Sequence, residues 1–400
     1  MTARRRRPLR PNSSKVSPSS FLSDACLASS SALTQDDDDE DPSQDNDDAE
    51  HLVVLVHGLF GHTKHLTTVV DVVKDLVKDS GCTLHVSRVN KRSKSLHGIR
   101  VCGDRLVEEI RGVVAARPSL KTISFMSHSL GGLFSRYAIG HGFDAKRGTV
   151  FGLAPLHFAT ICTPHFGCND AYVYRNLDKQ DSLTPCLEWM GTMPVIGWLM
   201  TTAFMAFERP VVRMTLRLSG RDLFMRDKPV PIVEILATPE ERDGTPYLPA
   251  LASFAERTCY GNIAGDHVVA WENATIRRKC DLPPLNRKEL PYGIVNEDVR
   301  EGREGKDGKQ SREDSTNKSK GKSTCAQRER MMQQLEALRW RRVDVKTKIL
   351  IRKGAPFTHD NIISKKDVSN NFQAVSTHLG QLVVRSITLW EGQGAGAAKM

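Results

Sequence analysis

The sequence has no Cys-x-x-Cys pair, although it contains nine cysteines. A structural zinc site usually needs closely spaced thiols, and an odd total cannot pair completely into disulfides. The pattern therefore argues against a zinc centre and against a secreted disulfide framework. It predicts reduced thiols in an intracellular protein, and we expect neither a metal nor an organic cofactor.

Aromatic residues make up only 6% of the chain, and few of them lie among the basic residues that concentrate in Arg277–Arg342. The net charge is +10, but Asp36–Glu50 contains ten acids and no bases, so the remainder carries about +20. Single-stranded nucleic acids are usually bound by basic grooves with stacking aromatic side chains. The charge therefore favours a solvated surface or one facing an anionic membrane, and we expect no nucleic-acid partner.

The N-terminal segment, residues 1–50, shows neither apolar periodicity nor the three-part pattern of a signal peptide. Met1–Leu33 is rich in Arg and Ser and has a single acid, Asp24, a composition that also occurs in organelle transit peptides. We predict a disordered tail with a basic and an acidic part. The expected location is cytoplasmic or membrane-peripheral, with organellar targeting as the alternative.

From His51 onward, apolar runs alternate with helical patterns. Strands are predicted at Leu52–Val56, Cys82–Val86, Ile123–Met126 and Leu156–Cys162, and helices at Thr63–Asp79, at Val101–Ala116 and after Ser129. This alternation predicts an α/β fold, a mostly parallel sheet with helices on both faces. Later elements are predicted as strands at Val230–Ala237, Thr258–Ile263 and Trp340–Ile351, with a closing helix at Asp367–Val384.

These elements define one predicted domain over residues 51–390, followed by a flexible tail at 391–400. The alternation stops over 168–228, which we interpret as a cap or lid insertion. Residues 298–328 are charged and rich in Gly, Ser and Lys, with little apolar surface to bury. We predict that this second insertion is disordered.

Within the first insertion, Trp189–Phe207 has no charged residue and contains four Met and two Trp. Its length approaches the ~20 residues that span a bilayer, but Gly and Pro interrupt it. We interpret it as a lid over an apolar pocket, with Trp198 and Phe204 as candidate pocket residues. A buried helical hairpin and a membrane span are the alternatives.

The best-defined motif lies in Thr122–Gly140, where an apolar run meets a Ser-His-Ser-Leu-Gly-Gly turn and an amphipathic segment follows. A strand, a sharp turn and a helix are the context of a nucleophile elbow, which places a serine hydroxyl above the sheet. We expect Ser129 to be that nucleophile. The pattern is Gly-x-Ser-x-Gly with Ser127 in place of the first Gly. An ordinary turn with an inert serine is the alternative.

A serine nucleophile needs a base and an acid that orients the base, and in this motif's usual fold they follow in the order Ser, Asp or Glu, His. Asp266 follows the Thr258–Ile263 strand and is the preferred acid, with Asp243 as its rival. His359 follows the last predicted strand and is the preferred base. The rivals for the base are His378 and His267.

The oxyanion of a tetrahedral intermediate needs preorganised backbone N–H donors. We expect one from Leu130, directly after Ser129, and one from Leu59, where Gly58 lets the backbone approach. His57 and His128 are candidate pocket residues. The sequence does not decide whether His57 and His62 stabilise the loop or line the pocket.

Five motifs in this order resemble the putative serine esterase family, a lipase-like α/β-hydrolase family long catalogued as a domain of unknown function. They are VLVHGLFG (54–61), SHSLGGLFSRYAIG (127–140), FATICTPHFG (158–167), GNIAGDHVV (261–269) and HDNI (359–362). The resemblance implies an esterase or lipase acting on acylglycerols or phospholipids, with Ser129 as nucleophile and Asp266 and His359 as its partners. Family members usually have Gly at the position of Ser127 and often Val-Pro at Val269-Ala270.

The sequence therefore predicts a serine hydrolase that cleaves carboxylic esters of lipids through an acyl-enzyme on Ser129. We also expect the protein to contact a membrane or lipid-droplet surface. Two alternatives share the same motifs. One is a non-catalytic ligand-binding protein that keeps the pocket, and the other is an acyltransferase that passes the acyl group to an acceptor other than water.

Overall fold

The computed structural model describes a folded unit within 46–397. The described residues are 46, 48–168, 216–239, 243–266, 268–287, 289–300, 320–347, 351–352, 355–356, 359, 362–363 and 372–397. The predicted lid residues Trp198 and Phe204 lie outside these ranges, as does nearly all of the predicted N-terminal tail. The tail was predicted to reach residue 50, but Ala49 is fully buried and the Glu50 N–H donates to the Gly81 carbonyl. The fold therefore begins slightly earlier than predicted.

A seven-stranded sheet forms the centre of the molecule, in the order β2-β1-β3-β6-β7-β9-β8. Every neighbouring pair is parallel except β8 with β9, which is antiparallel. The strands are β1 His51–Val56, β2 Cys82–Val86, β3 Thr122–His128, β6 Ala154–Ile161, β7 Glu256–Asn262, β8 Gly293–Arg300 and β9 Trp340–Lys346. Two small hairpins pair β4 Phe143–Asp144 with β5 Thr149–Val150, and β10 Ile351–Arg352 with β11 Ala355–Pro356.

Helices cover both faces of the sheet because its buried strands present apolar side chains alternately to each side. In β1, Leu52 and Val54 belong to one core cluster, whereas Val53 and Leu55 belong to the other. The labelled helices are α1 Thr63–Val77, α2 Ile99–Ala116, α3 Gly131–Gly142, α4 Ile232–Leu236, α5 Tyr247–Ala252, α6 Trp271–Ala274, α7 Lys320–Glu336 and α8 Phe372–Ala397. Residues 216–223 are also helical.

The predicted fold class is confirmed. A mostly parallel sheet with helices on both faces and a sharp turn between β3 and α3 is the α/β-hydrolase architecture. The ligand-binding edge of such a sheet lies at the carboxyl ends of its parallel strands. Among the described residues, no helix combines the length and the apolar character needed to cross a membrane.

One predicted strand is wrong. Val230–Ala237 contains helix α4, which follows Pro231 and is capped by the Asp227 carboxylate, the acceptor of the Ile232 N–H at 2.6 Å. All its residues are buried, so no polar face revealed the helical period. A short apolar run of this kind fits a buried helix and a buried strand equally well.

The predicted charged insertion at 298–328 is shorter than expected. Residues 298–300 belong to β8, and α7 begins at Lys320, so only 301–319 lie outside the described residues. Strand β8 was not predicted because it is a partly exposed edge strand with charged positions. Helix α7 was not predicted because its start is polar, yet Met331 and Leu335 are fully buried.

The closing helix is longer than predicted, since α8 runs through Ala397 and includes part of the predicted flexible tail. Its buried residues Leu379, Val383 and Ile387 pack in the same cluster as Val73 of α1. The final strand is shorter than predicted, because β9 ends at Lys346.

None of the six cysteines whose side chains the structure describes, Cys82, Cys102, Cys162, Cys168, Cys259 and Cys280, forms a disulfide. Five of them are buried and Cys280 is exposed. Burial raises the pKa of Cys82 and Cys259 to about 12 and that of Cys102 to about 11. These thiols are therefore protonated at neutral pH and behave as small apolar side chains.

Candidate active site

Ser129 occupies the turn between β3 and α3 in the left-handed region, with φ of 55°. A residue other than glycine in this conformation is strained and needs support from its surroundings. That support includes the Ser129 N–H, which donates to Ile161 O at 2.8 Å, and the Ser129 carbonyl, which accepts from Thr163 Oγ1 at 2.8 Å. A Cβ on Gly131 would lie 2.5 Å from the Val56 carbonyl oxygen, so the following helix can start here only with glycine.

Ser127 stands where a glycine is usual, and its side chain fits. The residue is fully buried, and its Oγ lies 2.8 Å from Ser135 Oγ in helix α3. The two hydroxyls satisfy each other across the elbow. The Ser127 side chain, which the Gly-x-Ser-x-Gly pattern lacks, is therefore accommodated by its contact with Ser135.

Three predicted site residues meet at the carboxyl edge of the sheet. His359 Nε2 lies 2.7 Å from Ser129 Oγ, and His359 Nδ1 lies 2.9 Å from Asp266 Oδ2. All three residues are buried. The imidazole thus bridges the hydroxyl and the carboxylate through its two different nitrogens, the arrangement that a serine nucleophile requires.

Asp266 is held as an anion by its hydrogen bonds. Its Oδ1 accepts from the N–H groups of Val268 and Val269 at 3.0 and 2.9 Å, and its Oδ2 accepts from Asn262 Nδ2 at 3.3 Å. Burial alone would raise the pKa of Asp266, but His359 and the N–H groups of Val268 and Val269 lower it to about 2. The carboxylate is therefore ionised throughout the neutral range and fixes the His359 ring.

The rival residues lie elsewhere. Asp243 Oδ2 accepts from Arg100 at 3.1 Å and from the Tyr247 hydroxyl at 3.1 Å, so this carboxylate belongs to a different cluster. His378 Nδ1 lies 3.0 Å from the Tyr260 hydroxyl, as expected of a packing histidine in α8. His267 lies outside the described residues.

The backbone around Leu59 and Leu130 is arranged as an anion-binding loop would be. A Cβ on Gly58 would lie 2.6 Å from Ser129 Cβ, so only glycine lets this loop approach the serine so closely. Among the described residues, the N–H groups of Leu59 and Leu130 have no protein acceptor. Both donors are thus available beside the hydroxyl.

The three histidines near the proposed nucleophile, His57, His62 and His128, have different positions. His62 caps helix α1, where its Nδ1 accepts from Lys64 N at 3.2 Å. His57 is buried, and no described residue hydrogen-bonds to its Nε2; burial lowers the pKa of His57 to about 4. His128 Nε2 lies 3.3 Å from the His359 carbonyl oxygen.

Cys162 and Asn262 were not predicted as site residues. Asn262 Nδ2 donates to Asp266 Oδ2 and to Cys162 Sγ, and its Oδ1 accepts from Thr347 Oγ1 at 3.0 Å. Asn262 stands inside the motif quoted for Asp266, at the end of β7, and that position was the signal available. Ligand atoms of Cys162, Asp266 and His359 lie within 4.8 Å of one another and are the described group that could hold a metal.

Comparison with known proteins matches the part of the chain that contains the first three motifs to the family that they resemble. Residues 46–176 match the family model described as putative serine esterase (DUF676). The resemblance to this family is confirmed over these residues. The match ends before Asp266 and His359, so their placement rests on the geometry above.

Two curated yeast proteins are similar to part of this chain. The chain is 32% identical over 130 residues to putative lipase C4A8.10 of Schizosaccharomyces pombe, covering 29% of this chain and 16% of that protein. It is 31% identical over 132 residues to putative lipase ROG1 of Saccharomyces cerevisiae, covering 31% of this chain and 19% of that protein. The matched segment therefore spans less than a fifth of either relative.

Among solved structures, carboxyl esterase 2 of Tuber melanosporum covers 85% of this chain and 80% of its own, with 13% identity and a TM-score of 0.39. Phospholipase PlaB of Legionella pneumophila covers 31% of this chain and 27% of its own, with 16% identity and a TM-score of 0.25. At these scores the fold assignment rests on the strand order and the elbow rather than on these neighbours.

Proposed function

We propose that the protein is a serine hydrolase that cleaves carboxylic esters of lipids. The observation that carries the proposal is the unbroken hydrogen-bonded chain from Ser129 Oγ through the two nitrogens of His359 to Asp266 Oδ2. Packing alone does not require a buried serine to contact a histidine that an ionised carboxylate orients, whereas nucleophilic catalysis does. The family match over 46–176 supports the same reaction class.

In the proposed reaction, Ser129 Oγ attacks the ester carbonyl carbon while His359 Nε2 takes the hydroxyl proton. The N–H groups of Leu59 and Leu130 stabilise the oxyanion, and His359 returns the proton to the leaving alcohol. Water then attacks the acyl-enzyme, with His359 again as base, and releases the fatty acid. Asp266 holds the imidazole in the tautomer that presents Nε2 to Ser129.

Lipids are the proposed substrates because the similar yeast proteins are described as lipases and because 189–207 is apolar and rich in Met and Trp. A lid of that composition suits contact with a membrane or droplet surface. We place the protein inside the cell, in the cytoplasm or at a membrane periphery.

The test is labelling of the full chain with a fluorophosphonate probe together with hydrolysis of p-nitrophenyl esters of increasing chain length. Wild type should label and hydrolyse, and Ser129→Ala should do neither. Absence of both in a folded wild-type protein would favour a non-catalytic binding protein. Labelling with ester consumption but no free fatty acid would favour an acyltransferase.

A further inference from the structure

The loop that carries Leu59 is a tight turn whose shape is unusual for its sequence. The Gly61 N–H donates to the Gly58 carbonyl at 3.0 Å, and Phe60 adopts a left-handed conformation with φ of 51°. Side chains other than glycine and asparagine rarely adopt this conformation unless neighbouring groups hold it. Something outside the loop must therefore keep the turn in place.

That group is Ser95, which is fully buried in the short helix at Arg92–Leu96. Its Oγ accepts from the Phe60 N–H at 2.8 Å and donates to the Arg92 carbonyl at 2.6 Å. The Arg92 N–H in turn donates to Gly61 O at 2.8 Å. The turn is thus tied to the Arg92–Leu96 helix at two successive residues.

Ser95 is itself held from a different part of the chain. Its carbonyl accepts from Ser219 Oγ at 2.6 Å, and Ser219 Oγ accepts from the Gly98 N–H at 3.0 Å. Ser219 is fully buried and lies in the helical segment 216–223. The Asp222 carboxylate of the same segment accepts from the Ile99 N–H at 2.8 Å. Segment 216–223 is therefore docked on the residues that support the turn.

We propose that Ser95 is a positioning residue of the oxyanion site, and that Ser219 connects it to segment 216–223. This inference rests on the proposed function. The hydrogen bond from the Phe60 N–H to Ser95 Oγ fixes the peptide plane between Leu59 and Phe60. The close packing of Gly58 against Ser129 limits the plane between Gly58 and Leu59. Together they set the direction of the Leu59 N–H, which matters most when negative charge develops on the substrate oxygen.

The main test compares Ser95→Ala with Ser386→Ala. Ser386 is a buried serine whose Oγ donates to the Leu382 carbonyl at 2.9 Å in α8, so the same hydroxyl is removed outside the site. Ser95→Ala should lower kcat roughly 10-fold and leave KM within about twofold, because a misaligned donor weakens transition-state binding. Affinity for a trifluoromethyl ketone analogue of the substrate should fall by the same factor. Ser386→Ala should change neither value.

Ser95→Thr keeps the hydroxyl and should recover most of the lost kcat, whereas Ser219→Ala should give a smaller loss in the same direction. If Ser95→Ala does not fold, Ser95→Cys is measured instead, since its thiol is only a weak acceptor. A kcat loss no larger than that of Ser386→Ala, or a loss expressed mainly in KM, would overturn the inference. A wild-type protein that neither labels nor hydrolyses would instead reject the proposed function.

Discussion

The ring of His128 packs against the ring of His359, with their centroids 5.1 Å apart and their planes inclined by 42°. His128 Nε2 also lies 3.3 Å from the His359 carbonyl oxygen. The residue next to the proposed nucleophile therefore contacts both the ring and the backbone of the proposed base. These contacts limit the positions that the His359 imidazole can occupy.

We expect His128→Ala to lower kcat about 10-fold, since a loosened base is less often aligned with Ser129. His128→Phe keeps an aromatic ring but loses the hydrogen bond, and it should lie between wild type and alanine. Steady-state kinetics on a soluble ester measure this. Equal activity of His128→Ala and wild type would show that His359 needs no such support.

Asp266→Asn should lower kcat/KM roughly 10³- to 10⁴-fold, because the amide favours the wrong tautomer of its histidine partner. Asp243→Asn is the matched control, since it makes the same change in the carboxylate bonded to Arg100 and Tyr247. It should leave kcat/KM nearly unchanged. The reverse result would mean that Asp243 is the working acid.

Stability should fall below about pH 6.5 because several histidines are buried in the neutral form. Burial lowers the pKa of His57 to about 4 and that of His157 to about 3. The unfolded chain binds these protons near pH 6.5 but the folded protein does not, so the free energy of unfolding decreases as the pH falls. Each histidine should contribute about 2 kcal/mol of this loss at pH 5.

Urea unfolding at pH 7 and pH 5 measures the effect. His157→Gln should reduce the difference between the two pH values, because Gln takes up no proton in either state. If His157→Gln shows the same difference in unfolding free energy between pH 7 and pH 5 as wild type, the proposed link between His157 protonation and stability is wrong.

Deletion of 301–319 with a short Gly-Ser linker should leave an active protein with a melting temperature within a few degrees of wild type. The deletion spares Arg300, which pairs with Trp340 across β8 and β9, and it spares α7. Extending the deletion through 336 should unfold the protein, because it removes buried Met331 and Leu335 and the ion pairs of Glu329 and Glu336 with Arg278. Differential scanning fluorimetry distinguishes the two results.

If 189–207 forms a lid, Trp198→Ser with Phe204→Ser should abolish any rise in activity when a long-chain ester passes from monomers to an emulsion. Hydrolysis of a short soluble ester should remain nearly unchanged. A parallel loss on both substrates, with a lower melting temperature, would instead indicate a core segment. Resistance of the wild-type protein to carbonate extraction would indicate a membrane span.

Much of the fold could be predicted because buried parallel strands give continuous apolar runs. Strand β2 has the bounds predicted for it, and β1 differs by one residue. The predicted site residues Ser129, Asp266 and His359 converge because the carboxyl ends of parallel strands share one edge. Strand β8 could not be predicted, since an edge strand with one exposed side needs no continuous apolar run. The Ser95 contact joins residues far apart in sequence, and only the folded chain brings them together.

The buried thiols can report local unfolding, because each becomes reactive only when the structure around it opens. Alkylating reagents attack thiolates, so among the six cysteines whose side chains are described, a folded molecule should react only at exposed Cys280. Each excursion that exposes Cys82, Cys102 or Cys259 would add a permanent mass increment at that position. Peptide mapping after timed exposure to iodoacetamide would then show which side of the sheet loosens first, without any engineered label.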